Sequence, residues 1–369
     1  MSLVATQDVA TYDVAVAGAG PAGAVAAGLL ARAGLSVLLC DPRLGLVAAP
    51  AKPGDALPGA ADRLLRACGL PPPGASGLHR PIGGNISIWG SPDPIHRDFL
   101  NEPDGAGVRL DRAAFEAELV GIARAAGADV RPVRLVHVAR DAGRWTLAGR
   151  DGGRWRAAFL VDAGGRAAPL ARRLGARRRR DEPLVAVVGR GRACPEYRLS
   201  RTLVETVPQG WWYAALLPDG APVFMLHTRP ADAARFVARP DEWRAALEAA
   251  RHVATAFPGA TLDAPLRAHE AGGAWLDPMH GPGWVAVGDA ALSFDPASAQ
   301  GIFSALHGGM TVAHAIPAAL RGNDTRLEAY AAALIEIRRL YRARLRAHYA
   351  SERRWPDAPF WRERAPAAA

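Results

Sequence analysis

The chain has a single lysine, Lys52, among its 369 residues; every other basic side chain apart from histidine is an arginine. A net charge of +9 built this way, beside abundant Ala, Gly and Pro, reads as base composition more than as adaptation to a polyanion. Neither a nucleic-acid motif nor a basic stripe interleaved with aromatics is present, so no nucleic-acid partner is expected. Cysteine is scarce. Cys40, Cys68 and Cys194 are odd in number, far apart and form no CxxC, which argues against a disulfide framework or a zinc site and fits a reducing cytoplasm. No metal is expected. Met1–Tyr12 lacks a basic stretch followed by an apolar core, so no signal peptide is expected. The longest apolar stretch is interrupted by Gly, Pro21 and Arg32, so no membrane span is expected either. No internal repeat is apparent.

What is present is a well-formed first unit. Half the residues are hydrophobic, and the length suits two lobes better than one core. Tyr12–Ala17 reads as a short apolar strand that runs into Gly18-Ala-Gly20-Pro21-Ala22-Gly23 and a helix to Arg32. Gly34 ends that helix, and Leu35–Cys40 is a second buried strand closing on Asp41. Gly18 suits the tight turn, Gly20 the approach of a pyrophosphate, and Gly23 the contact of helix with strand. The helix start offers free N–H groups to that pyrophosphate. Asp41, followed by Pro42 and Arg43, is placed to accept hydrogen bonds from a ribose.

Leu44–Pro58 is Pro- and Gly-rich and reads as a loop carrying Lys52 and Asp55, followed by a helix from Ala60 to Cys68. Further on, Asn85–Trp89 alternates as a strand, and Ala113–Ala126 as a helix entered from Arg109-Leu-Asp111-Arg112. Val130–Val138, Arg144–Leu147 and Arg154–Phe159 predict strands. Phe159–Arg166 is another strand entering a glycine turn, although it lacks the full GxGxxG. Arg177–Arg180 reads as a solvated surface run. Leu184–Arg267 alternates strands and loops around one helix, Pro240–Ala254. Gly189-Arg-Gly191 follows a strand, but Pro195 forbids a clean helix after it, so no second nucleotide loop is expected there. Gly283–Ala290 is a buried strand ending in Gly288-Asp289, followed by Asp295-Pro296-Ala-Ser-Ala-Gln300-Gly301 and a helix from Ile302 to about His314. In the last helix, Thr325–Tyr349, Leu327, Tyr330, Leu334, Ile337, Tyr341, Leu345 and Tyr349 share one face.

The first motif alone does not separate NAD from FAD; Gly288-Asp289 does. In a two-lobed flavoprotein a late strand sets an aspartate on the ribityl chain, and the turn after it aims a helix start at the flavin's pyrimidine edge, where it favours the reduced form. Gly18–Gly23, Lys52–Pro58, Arg109–Arg112 and Gly288–Gly301, in that order, resemble the FAD-dependent monooxygenases of the para-hydroxybenzoate hydroxylase fold, in their tryptophan-halogenase-like branch. The closing Arg354–Arg362 segment resembles the tail of LodB-like flavoproteins, implicated in oxidising a tryptophan of a partner enzyme to build a tryptophylquinone.

The resemblance implies an α/β, Rossmann-type two-dinucleotide-binding FAD fold with an inserted, mainly antiparallel substrate lobe and a C-terminal helix. Its expected boundaries are 1–78, 106–180 and 270–322 for the FAD domain, 79–105 and 181–269 for the substrate lobe, and 323–369 for the helical end. It places FAD on Gly18, Gly20, Pro21, Ala22, Gly23, Asp41, Pro42, Arg43, Lys52, Arg112, Gly288, Asp289, Pro296, Gln300, Gly301 and Ile302, with Lys52 and Asp55 beside the isoalloxazine as catalytic candidates. The implied activity is hydroxylation of an electron-rich aromatic ring, foremost an indole, through a flavin C4a-hydroperoxide formed with O2. Electrons would come from NAD(P)H or from flavin reduced by an external reductase. The substrate is an aromatic compound, free or as a tryptophan in a partner polypeptide. His79, Trp89, Trp211, Trp212 and Tyr213 are the substrate-binding candidates, expected to face each other over the flavin, and His79 and His96 are acid–base candidates by residue type. Three other classes stay open: a flavin halogenase, a reductase of the prenyl-reductase type, and a non-catalytic FAD-stabilised binding protein. Halogenation is disfavoured because Gly210-Trp211-Trp212-Tyr213…Pro218 departs from the halogenase spacing and the one lysine sits in the flavin loop.

Overall fold

The computed structural model describes residues 9–46, 56–99 and 102–364. Lys52 and Asp55, both candidate flavin-loop residues, lie outside the described residues.

Thr11–Ala17 sits in the middle of a sheet because its last four residues, Val14–Ala17, are buried on both sides. It pairs in parallel with Arg154–Asp162 on one flank and Val37–Cys40 on the other; Trp284–Ala286 and Asp129–Arg131 extend the sheet outward, also in parallel. Parallel strands covered on both faces are as apolar as these are. One face is covered by helices Pro21–Arg32, Arg112–Ala125 and Gly301–Ala319. Small residues let them approach closely. A side chain at Gly309 would lie 2.4 Å from the Ala22 carbonyl oxygen. The start of Arg154–Asp162 also pairs antiparallel with Arg144–Gly149, and that strand with Leu135–Asp141; Trp145, Leu147 and Trp155 of this meander fill the second core, on the other face.

The expected strand 130–138 is two strands with different partners. Pro132 interrupts the ladder, so Asp129–Arg131 stays in the parallel sheet and Leu135–Asp141 enters the meander. The run Arg177–Arg180 is a strand paired with Ala274–Asp277, and its side chains are exposed apart from half-buried Arg178, as a solvated run requires.

A seven-stranded sheet makes up the other half. Its order is Arg267–Glu270, Val185–Arg190, Pro222–Thr228, Gly210–Leu216, Thr202–Val207, Gly84–Ile88 and Ile95–Asp98, antiparallel except for the Thr202–Val207 and Gly84–Ile88 pair. One of its faces is covered by three short helices, Pro230–Ala238, Pro240–Ala249 and Arg251–Ala256, where a single helix was expected. Ala250 adopts extended backbone, and the buried Glu205 carboxylate accepts the N–H groups of His252 and Val253, starting a new helix there.

The chain closes with Thr325–Ala350, whose Leu327, Tyr330, Tyr341 and Tyr349 are buried as the spacing predicts; Ile337 on the same predicted face remains 40% exposed. Residues 351–364 then fold back over the seven-stranded sheet. Among the described residues no helix is long and apolar enough to cross a membrane.

Candidate active site

The parallel register builds the site. Ala17, Cys40, Asp162 and Ala286 occupy one row across four strands, so the turns that follow them emerge side by side at the carboxyl edge of the sheet. Ligands bind at this edge in open α/β sheets. Gly18 has φ +108, and a side chain there would collide with the Ala163 carbonyl at 2.2 Å. Gly23 is as constrained, its missing side chain lying 1.9 Å from the Gly18 oxygen. Gly20 differs: no atom of the described residues stands within 4 Å of where its Cβ would be. Two glycines therefore close the turn and the third leaves open space before the start of helix Pro21–Arg32. Pro21, which has no N–H to leave unpaired, occupies the first helical position, and Ala22 behind it is buried.

Asp41 is buried beside that turn. Its carboxylate accepts the Ala19 N–H at 3.0 Å and both the backbone and side chain of Arg43. Burial pushes its pKa up, and these hydrogen bonds outweigh it, leaving the group below the usual carboxylate range. Pro42 and Arg43 follow on an exposed turn. From the neighbouring helix, Arg112 is mostly buried and pairs with Glu116 at 2.7 Å.

The third turn is Gly288–Ala290, with Gly288 at φ +61 against Ala22. Asp289 projects half-exposed, 3.7 Å from Arg166 of the second glycine turn. Beyond it, Pro296–Ser298 forms a 3₁₀ turn capped by Asp295, and helix Gly301–Ala319 begins with open space in front of Gly301. Gln300 is exposed and Ile302 half-buried at that start.

The aromatic candidates separate. Trp211 and Tyr213 lie on one face of their strand, Trp212 on the other, fully buried against Trp243. A strand alternates its side chains, so adjacent residues cannot share a site. Trp89 does meet Trp211, with ring centroids 6.1 Å apart, but under residues 351–364, where it also packs on His348, Tyr349 and Trp361. His79 is buried in the first half instead, its Nδ1 accepting the Asp111 N–H and its ring edge-on to Phe115. His96 stands on the outermost strand of the seven-stranded sheet, next to Arg201. Tyr213 alone of the five stays half-open, and its hydroxyl accepts a hydrogen bond from Arg109 at 2.6 Å.

Among known proteins, residues 11–71 match the FAD binding domain family model. LodB of Marinomonas mediterranea, named as an FAD-dependent oxidoreductase, is 28% identical over 292 residues, 77% of this chain and 78% of LodB. The solved structure of QhpG, a peptidyl tryptophan dihydroxylase essential for tryptophylquinone cofactor biogenesis, is similar with TM-score 0.73 and 25% identity over 97% of this chain and 80% of QhpG. That of CmlS, a flavin-dependent halogenase, has TM-score 0.83 at 24% identity, covering 97% of this chain and 68% of CmlS, a likeness of fold. The chain is an FAD-dependent oxidoreductase with the monooxygenase fold.

Several groups that shape this flavoenzyme's site escape sequence reasoning. Asp162, buried at the end of strand Arg154–Asp162, accepts N–H groups from Gly164, Leu170 and Ala171 and so fixes the middle turn; burial nevertheless raises its pKa. Arg166 holds the Ala271, Gly272 and Phe294 carbonyls together, and Arg178 supports the Asp289 carbonyl from behind. The only signal for them was an acid at a strand end and an arginine after a glycine pair. A basic depression of about 830 Å³ lies between helix Pro169–Arg173 and strand Arg177–Arg180. Of its six arginines, Arg179 and Arg180 face Asp277 and Glu270.

Proposed function

We propose that this enzyme hydroxylates the indole ring of a tryptophan held in a partner polypeptide, of the kind that matures a tryptophylquinone. One observation carries the aromatic-substrate reading. Val188, Met225, Tyr213, Val204 and Ser87 are paired in one row across the seven-stranded sheet. The next row, Ala186, His227, Trp211 and Thr206, is buried under the chain's end, whereas Val188, Tyr213, Val204 and Ser87 stay half-open. Tyr213 reaches from that row to Arg109, on the strand that leads into Arg112. The result is an apolar, aromatic-edged floor tied to the nucleotide half, suited to a flat ring.

The residues present fit FAD: an open position at Gly20, an acid at each of two strand ends, and an unobstructed helix start at Gly301. Asp41 and Arg43 would hold the ribose end, Gly18–Gly23 the pyrophosphate, and Asp289 the ribityl chain, while Pro296–Ile302 would face the pyrimidine edge. Reduced flavin supplies two electrons and activates dioxygen, so that one oxygen atom replaces a ring C–H by C–OH and the other leaves as water. The chain's own work is to orient the ring on the Tyr213 row, exclude water there, and supply a hydroxyl polarised by the Arg109 guanidinium beside the reacting carbon.

The likeness to QhpG favours a polypeptide substrate, and the basic depression suits an acidic stretch on such a partner. The test supplies a flavin reductase, NADH and oxygen, then compares free tryptophan, indole and a tryptophan-bearing partner encoded nearby, with and without halide. Oxygen-atom mass gain on the partner's tryptophan is expected. Efficient hydroxylation of free indole with no product on any polypeptide would contradict the polypeptide reading; product that requires halide would contradict hydroxylation.

A further inference from the structure

Three tyrosines of helix Thr325–Ala350, Tyr330, Tyr341 and Tyr349, turn their hydroxyls toward the strand end and turn assigned to FAD. Tyr330 donates to the Ala286 carbonyl, at the end of the strand that carries Gly288. Tyr341 accepts the Asp295 N–H at 2.7 Å. Tyr349 lies in the middle of a buried chain: its oxygen accepts from Trp211 Nε1 at 3.0 Å, and its O–H donates to Asp295 Oδ2, also at 3.0 Å. The other Asp295 oxygen caps the Pro296–Ser298 turn through the Ala297 N–H. Three dispersed parts of the chain meet here: the sheet that offers the substrate floor, the helix that leads into the closing segment, and the turn assigned to the flavin edge.

The closing segment is seated by equally specific bonds. Glu352 accepts the Gly90 N–H and the Thr206 hydroxyl, and pairs with Arg354; Trp361 donates to the Val207 carbonyl. Its seat is thus the strand that neighbours Trp211. Moving this strap off the sheet would pull on Tyr349, and through it on a buried carboxylate that tolerates poorly the loss of a donor.

We propose that Tyr349 is a positioning residue that couples the strap, residues 351–364, to the Asp295–Gly301 turn, so that strap seating and FAD binding strengthen each other. The proposal rests on FAD lying at that turn. Coupling of this kind is reciprocal: the factor by which FAD steadies the strap equals the factor by which the seated strap tightens FAD.

Hydrogen exchange of residues 351–364 with and without FAD, beside FAD titration of the apoprotein, tests it on the full chain. In the wild type FAD is expected to slow strap exchange by about tenfold, in the usual range of coupling between sites. Tyr349→Phe removes the O–H and keeps the ring; it is expected to weaken FAD by about the same factor and to abolish the FAD dependence of strap exchange. Trp211→Phe cuts the chain at its other end and decides the matter should Tyr349→Phe fail to fold; a smaller loss of both quantities, again by a common factor, is expected. Strap exchange in the wild type that ignores bound FAD overturns the coupling. So does a Tyr349→Phe protein whose strap is looser yet responds to FAD as before, since that is a purely structural role. A wild-type apoprotein that does not bind FAD overturns the cofactor assignment instead, and is told apart by the titration alone.

Discussion

The two halves of the molecule make their surfaces from different material. In the nucleotide half the candidate site is backbone: three turns at the ends of parallel strands, shaped by where a side chain is missing. In the seven-stranded half it is side chains, and a shift of one residue moves a group from an open floor to a sealed core, as Tyr213 and Trp212 show. The first kind of site withstands most substitutions except at a few glycines. In the second kind, the residue's face decides everything.

The sharpest break of this contrast is at Gly23. Gly23→Val would drive a side chain into the Gly18 carbonyl 1.9 Å away, and the protein is expected not to fold, as read by loss of a cooperative thermal transition. A folded Gly23→Val protein would show that the turn is looser than described.

Next in size is the pair Trp212→Ala and Tyr213→Phe. Trp212 is fully buried against Trp243, so its truncation should cost about 3–5 kcal/mol of stability and leave FAD affinity alone. Tyr213→Phe should keep the stability loss to about 1–2 kcal/mol but lower turnover, because the hydroxyl bonded to Arg109 is gone. Denaturant unfolding and steady-state kinetics of both variants separate the faces; equal effects on turnover would erase the distinction.

This contrast also explains what the sequence could reveal. The nucleotide half was legible because its signals are local: the Gly18–Gly23 turn, Asp41 at the end of the second strand, Gly288-Asp289, and the Asp295–Gly301 turn all follow one another within a few residues of a strand end. The other half depends on pairing. Nothing in Gly210-Trp-Trp-Tyr tells which tryptophan faces the floor until its neighbours Thr202–Val207 and Pro222–Thr228 are aligned with it. Trp89 and Trp211 were expected to hold substrate and instead seat the strap, because residues 351–364 return across more than a hundred positions to cover them. His79 was read with the substrate lobe for the same reason, although the bond to Asp111 ties it to the nucleotide half.

A smaller effect is expected at Asp289. Asp289→Ala should weaken FAD by about 1–3 kcal/mol, with the fold intact, since the half-exposed carboxylate sits at the surface of its turn, 3.7 Å from Arg166, and caps no buried element. Unchanged affinity in a flavin-fluorescence titration would make it a turn residue and no more.

Acid should distinguish the halves least, but in a defined direction. Burial holds His227 down to about 3 from its ordinary 6.5, so the neutral ring stabilises the fold fully above pH 6.5 and this is lost as pH falls toward 3. Burial alone would raise Glu352; its bonds to Arg354, Thr206 and Gly90 outweigh that and hold it at about 2, so its contribution is complete above 4.5 and fades below. Asp295 opposes them, raised by burial to about 6, which removes stability as pH rises from 3.8 through 6. The two losses outweigh the one gain, so the seven-stranded half and its strap should melt earlier as pH falls from 6.5 to 4. In His227→Gln the slope of Tm against pH should flatten over that window; an unchanged slope would place the acid sensitivity elsewhere.

On the proposed reading, FAD lies on the backbone turn at Gly20, in space that the described residues leave empty. Gly20→Val tests it directly, because the new side chain meets no atom of the described residues within 4 Å at its Cβ and should leave the fold undisturbed. Apoprotein of the wild type and of this variant would be titrated with FAD, following flavin fluorescence, with circular dichroism confirming that both are folded. Saturable binding by the wild type and none by the folded variant is expected. A folded Gly20→Val protein that binds FAD as tightly as the wild type would contradict it.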